Sequence, residues 1–350
     1  MSIHETLLNE IASNGVDFLF NYGCDRIDIE TFLLDSVPFI DRQQRAINIV
    51  ERVLIAHGKE KLLSYLVELA RVEHGIRELE PWVRDHVVHA VLSFILGIYF
   101  NEKFMKPSYP VDHFQWKISG LLHDIGYPVQ IARNILQPFE NTVNGIKHDL
   151  GGVAEEVRFI VIPKNLDKLT NELSSLNIIQ SRLEDWNLNI DVELVYRHMI
   201  ETGKVCHGMI SALALLWIID LMYHKFNPAR QYKDIYQTNS SINWNQMYFE
   251  DHIVSACSAI FIHNLNNKYF SAAKIDREIA PLAFLLKLSD SLQDWERPSL
   301  QNPIGIPASN YDIEVDNKKI IFKANLPNNR KQKIRHEINS CLIADDIRII

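Results

Sequence analysis

The chain has 350 residues, 47% of them hydrophobic and 23% charged, with 13 glycines and 13 prolines. That length accommodates one large domain, or a main domain with an appended unit, and the composition excludes collagen-like and low-complexity chains. A formal net charge of −8 supplies no footprint for duplex binding, so nucleic acid is not expected as a partner, although a local basic pocket for a phosphate is compatible with it.

The opening MSIHETLLNEIASNG has no basic segment followed by an apolar one, so no secretory leader is expected. The longest apolar stretch, Met209 to Ile219, is too short for a membrane span and reads as a buried helix. Cys24, Cys206, Cys257 and Cys341 lie far apart without a CxxC pair. Neither a disulfide framework nor a zinc knuckle is expected, and a reducing cytoplasm is the simplest setting.

In chain order, Glu60 to Glu73 puts Leu62, Leu63, Leu66, Leu69 and Ala70 on one helical stripe. Val87 to Tyr99 is apolar almost all round, as in a helix buried within a bundle. Phe114 to His123 predicts another helix, with Gly126 as its stop and Pro128 at the start of the next. Helices are expected again over Lys204 to His224, Glu250 to Ile262 and Ile279 to Arg297. The polar stretch Lys225 to Asn245 reads as a loop or insertion. After Pro303, Tyr311 to Val315 and Lys319 to Ala324 predict a hairpin around Asp316-Asn317. A helix-like run Arg330 to Ile338 and a last strand Ile347 to Ile350 follow. The division expected is an N-terminal helical extension (1–80), a helical main domain (81–300) and a small α/β appendage (301–350).

Five places carry groups suited to a divalent metal: Asp85-His86-Val87-Val88-His89, Leu122-His123-Asp124-Ile125-Gly126, Cys206-His207-Gly208, Ile262-His263-Asn264 and Ser289-Asp290-Ser291. Imidazole and carboxylate donors on packed helices suit Mn, Fe, Zn or Co. A buried His or Asp needs a partner, so their recurrence within apolar helices carries more weight than any one of them. His148-Asp149 is a second His-Asp pair in a polar, glycine-flanked setting, and reads as loop. The remaining histidines, His4 and His113 among them, default to structural or surface roles.

The order H…HD…H…H…D, with the words LLHDIG and DHVVHAVLS, resembles the HD superfamily of metal-dependent phosphohydrolases over roughly Arg84 to Arg297. The resemblance implies a mainly α HD-domain bundle. It makes His89, His123, Asp124 and Asp290 the core metal ligands, and adds His207 and His263 as completing a second metal position. Two divalent ions (Mn, Fe, Zn, Co or Mg), about 3.5–4 Å apart, are then expected. Tyr127 stands where the family often has a lysine and falls on the substrate side, and Lys287 and Arg297 are candidate phosphate contacts, with surface or salt-bridge roles as the equal alternative. Asp124 and His86 are the expected catalytic residues, His86 as a possible proton donor to the leaving oxygen.

The activity implied is hydrolysis of a phosphate ester or anhydride of a small, nucleotide-like molecule, by a metal-activated water at a binuclear site. Two rivals stand beside it. One is a mononuclear deoxynucleoside triphosphate triphosphohydrolase in which His207 positions the nucleophile; the other is a non-catalytic nucleotide-sensing module. A homo-oligomer is compatible with all three.

Overall fold

Apolar residues recur every three or four positions along most of the chain, and helices make up most of the structure. The computed structural model describes residues 1–14, 19–34, 39–55, 86–149, 165–169, 173–226, 249–297 and 305–350. The helix expected over 60–73, Asp85, most of the polar 225–245 stretch and Pro303 lie outside the described residues.

Helices α1 (Ile3–Asn14), α2 (Arg26–Leu33) and α3 (Phe39–Ile55) come first. The Asp25 carboxylate caps α2 by accepting from the N–H groups of Ile27 and Asp28. α3 packs on α4 (His86–Phe100), every residue of which is buried, and α4 runs on into a wider π turn at Asn101–Met105. By length and composition the 86–105 run is able to cross a membrane, and 89% of its most apolar window is buried inside the fold. His86, His89, Ser93, Asn101, Glu102 and Lys103 interrupt this run, and of these His86, His89, Ser93 and Asn101 are buried.

α5 (His113–Leu122) is capped by Asp112, whose carboxylate accepts from Phe114 and Gln115 N–H. A turn at 123–126 leads directly into α6 (Tyr127–Asp149). Gly126 is not there to stop a helix by adopting a left-handed backbone. A Cβ at this position would stand 2.6 Å from the His207 carbonyl oxygen and 2.7 Å from Ser211 N, and Gly126 N–H donates to Ser211 Oγ at 2.8 Å. The missing side chain lets the His123-Asp124 turn press against the helix that begins at His207. His148-Asp149, expected in a loop, instead closes α6. An amphipathic helix keeps a polar face toward water, so local polarity did not mark a break.

α7 (Ser175–Asp185) and α8 (Val192–Thr202) are short helices that the periodicity did not single out; side chains of Ser174 and Asp191 cap them, and Gly203 ends α8 at φ 64°. α9 (His207–Phe226) follows, then a π turn at Phe249–Val254, α10 (Ser255–His263) and α11 (Pro281–Leu292). α10 is buried on all sides and touches α5, α9 and α11, while α11 also packs on α4. These five helices form the bundle that carries the donor residues.

The C-terminal region is a three-stranded sheet with one helix. β1 (Tyr311–Val315) pairs antiparallel with β2 (Ile320–Ala324), Tyr311 opposite Ala324, as the hairpin pattern predicts. α12 (Asn328–Cys341) then returns the chain to β3 (Ile347–Ile349), which lies parallel to β2 with Ile347 opposite Ile320. α12 packs on α11, and β1 packs on α1. Trp295 is fully buried, edge-on to His4 and against Tyr311, and its indole N–H donates to His4 Nε2 at 3.0 Å.

Candidate metal centre

The bundle brings the dispersed histidines and aspartates to one place. His86 and His89 come from α4, His123 and Asp124 from the turn after α5, His207 from the first turn of α9, His263 from the last residue of α10 and Asp290 from α11. Two groups of donors result, each with its ligand atoms within 4.8 Å of one another: His89, His123 and Asp124, and Asp124, His207 and His263. Asp124 belongs to both. Asp290 joins the first, with Oδ1 3.0 Å from His89 Nε2 and 4.0 Å from His123 Nε2.

Asp124 Oδ1 lies 3.7, 3.1 and 3.4 Å from Nε2 of His123, His207 and His263. Its Oδ2 is 2.7 Å from His86 Nδ1 and 3.8 Å from His89 Nε2. Opposite Nε2, each ring is held from behind. His123 Nδ1 lies 3.0 Å from the Gly120 carbonyl, His263 Nδ1 2.6 Å from the Ile260 carbonyl and His207 Nδ1 2.7 Å from Gln130 Oε1. His89 differs: its Nδ1 meets Gln293 Oε1 but also the Arg297 guanidinium, which reaches its Nε2 as well. In the other three rings the acceptor behind Nδ1 fixes the tautomer in which Nε2 presents its lone pair forward, the usual arrangement behind a metal-bound imidazole.

The forward atoms are left without conventional partners. Nε2 of His123 and His263 and Oδ1 of Asp124 are buried with no hydrogen bond; His86 Nε2 is also unpartnered, but it lies on the side of the ring away from Asp124 and outside both donor groups. Such atoms are costly in a protein interior. A divalent cation suits this set, because it satisfies converging lone pairs that no single hydrogen-bond donor can.

Protonation states agree with that use. Burial lowers His86 to about 3, against the pull of Asp124, and lowers His89 to about 4, with the Arg297 guanidinium adding to the effect. Burial also pushes His123 down. For Asp124 burial acts upward, but His123, His207 and His86 together outweigh it and hold the carboxyl well below the usual range. Asp290 behaves likewise, with the His89 hydrogen bond opposing burial. Neutral imidazoles and ionised carboxylates are the ligating forms.

The centre forms the floor of a cavity of about 800 Å³, lined there by His86, Asp124, Tyr127, His207 and Asp290. Tyr127 packs over His86 with ring centroids 3.4 Å apart. Arg297 lines the cavity; its Nη2 lies 2.7 Å from His89 Nδ1 and 3.2 Å from Asp290 Oδ1, and it also contacts His89 Nε2. Lys287 does not line it. Its ammonium is buried and donates to the His263 carbonyl and to Glu337 Oε1, both at 2.9 Å. Burial works against its charge, and Glu337 and Asp290 more than restore it. Its visible role is to tie the end of α10 to α12.

Sequence reasoning missed Gln130, Gln293 and the face of α12 that closes the cavity. Gln293 carried one usable signal, since it follows Asp290 by three residues. Comparison of the chain with protein-family models, with curated proteins and with solved structures matches none of them. The mainly helical fold and the buried His/Asp cluster able to hold metal are therefore observations of this molecule alone.

Proposed function

We propose that the chain is an HD-type metal-dependent phosphohydrolase acting on a phosphate ester or anhydride of a small, nucleotide-like molecule. The observation that carries this reading is Asp124, one carboxylate common to two three-donor groups at the floor of a polar cavity. His89, His123, Asp124 and Asp290 would hold one ion, and Asp124, His207 and His263 the other. When bound, such ions supply Lewis acidity toward a phosphoryl oxygen and an activated water.

The chain's own groups complete the chemistry. With Nδ1–H given to Asp124, His86 turns Nε2 to the cavity as an acceptor, suited to orient a water or take its proton. Burial keeps that ring neutral, so acceptance suits it better than the donor role first expected. Arg297 offers a guanidinium to a phosphoryl oxygen. Tyr127 forms the wall beside His86.

The test is metal analysis of the purified protein, then a screen of nucleoside triphosphates, cyclic nucleotides and cyclic dinucleotides with Mn added. Two equivalents of metal and phosphate or nucleotide release are expected; His123 lies in one donor group only, so His123→Ala should lose one equivalent and the release. One equivalent per chain would replace the binuclear site by a mononuclear one. Metal without turnover of any substrate would leave a binding module, and no metal at all would sink the reading.

A further inference from the structure

Across the cavity from the histidines stands one face of α12. Asn329, Arg330, Lys333, Ile334 and Glu337 all line it, and residues spaced three and four apart share one helical stripe. The C-terminal helix is therefore a wall of the same cavity whose floor is the candidate metal centre.

The charges on this wall are unevenly matched. Arg330 is held by Asp294 through two bonds, Nε to Oδ2 at 2.7 Å and Nη2 to Oδ1 at 2.8 Å, and Tyr311 also donates its hydroxyl to Asp294 Oδ2. A guanidinium has five N–H donors, so Arg330 retains others. Glu337 accepts from Lys287, whose ammonium neutralises it, and from Ser291 Oγ. Lys333 has no hydrogen-bond or ion-pair partner among the described residues. The wall thus presents one oriented guanidinium and one unopposed ammonium, on a chain whose net charge is −8.

We propose that Arg330 and Lys333 form an anion subsite that holds a second phosphate of the substrate, beyond the one placed at the Asp124 centre. The substrate class is then a polyphosphorylated small molecule rather than a simple monophosphate ester. This deepens the phosphohydrolase reading and rests on it for the word substrate, but binding at the subsite does not require metal. A fixed fork beside a mobile point charge suits the terminal oxygens of a phosphate chain. The cavity's volume lies within the range of sites for nucleotide-sized ligands.

The experiment uses the full chain after dialysis against a chelator, titrated calorimetrically with inorganic tripolyphosphate and with orthophosphate. Tripolyphosphate should bind the parent more tightly than orthophosphate. Lys333→Glu should weaken it at least tenfold, Arg330→Gln should weaken it too, and His207→Ala should leave it within a factor of two. Lys333 is exposed, so its replacement tests charge without disturbing the core, and unchanged circular dichroism confirms this. Absence of tripolyphosphate binding, or equal binding by Lys333→Glu and parent, overturns the subsite even if metal and hydrolysis are found. Lys333-dependent binding without any hydrolysis would instead keep the subsite and remove the proposed activity.

Discussion

Asp124 Oδ1 stands 3.1 Å from His207 Nε2, closer than its 3.4 Å approach to His263 in the same donor group. Because Asp124 also belongs to the His89–His123 group, its removal should cost more than loss of one ligand. Asp124→Ala is expected to lose metal at both positions, while His263→Ala loses one equivalent and keeps the other. Atomic emission on dialysed protein measures this directly. An Asp124→Ala protein that retains one full equivalent would show that the carboxylate is not shared.

Gln130 acts from behind the site. Its Oε1 accepts from His207 Nδ1, and the side chain approaches the His207 backbone N–H as well. Gln130→Leu should leave the fold intact and lower affinity at the second position by about 10–100-fold, the usual cost of losing a partner behind a ligating imidazole. Competition against a chelating dye reads that change; unchanged affinity would show that the His207 ring is oriented without Gln130.

Gly208 has no room for a methyl group. A Cβ there would stand 2.7 Å from His263 Cε1 and 2.8 Å from the Ile260 carbonyl oxygen, the same carbonyl that holds His263 Nδ1. Gly208→Ala should therefore push α9 from α10, costing roughly 1–3 kcal/mol of stability and weakening metal at the second position. Urea unfolding with metal titration checks both effects, and parental values for the two would count against this packing.

Lys117 sets a pH dependence of stability remote from the cavity. Its side chain is buried, Nζ has no hydrogen-bond partner, and burial lowers it to about 7 from an ordinary 10.5, with Cys24 acting in the opposite sense. Between those two values the unfolded chain carries the proton and the folded chain does not, so stability rises with pH across that window. Below pH 7 both states are charged and the full penalty applies. Lys117→Met should stabilise the protein by roughly 1–3 kcal/mol at pH 7. Its advantage in Tm should shrink as pH rises toward 10; a gap that stayed constant with pH would assign the effect to packing instead.

Much of the centre was legible because the donors stand in apolar helices or at their ends, in the order of the HD pattern. His89, His123, His207, His263 and Asp290 could be picked out by the cost of burying them, and the structure brings all five around Asp124. Gln130 and Gln293 were not legible. Glutamine is ordinary on surfaces, and these two reach their imidazoles across 77 and 204 residues of chain. The α12 wall was hidden for a similar reason: Arg330 and Lys333 look like the solvent face of a basic helix until α12 is packed on α11. Gly126 was noticed with the wrong cause, because a helix stop and a close approach leave the same letter in the sequence. Lys287 shows the converse. A lysine near an expected phosphate site invites a ligand role, yet its charge is committed to a carbonyl and a carboxylate of the scaffold.

His89 and Asp290, 3.0 Å apart in space, are separated by 201 positions in the chain. Closing a loop of that size carries an entropic cost that must be met by the packing of α4 on α11 before the two side chains can meet. The donor set is accordingly a property of the assembled bundle and of no single segment of it. An ion that needs the whole set acts as a clasp on the finished bundle, slowing its opening more than it speeds its assembly.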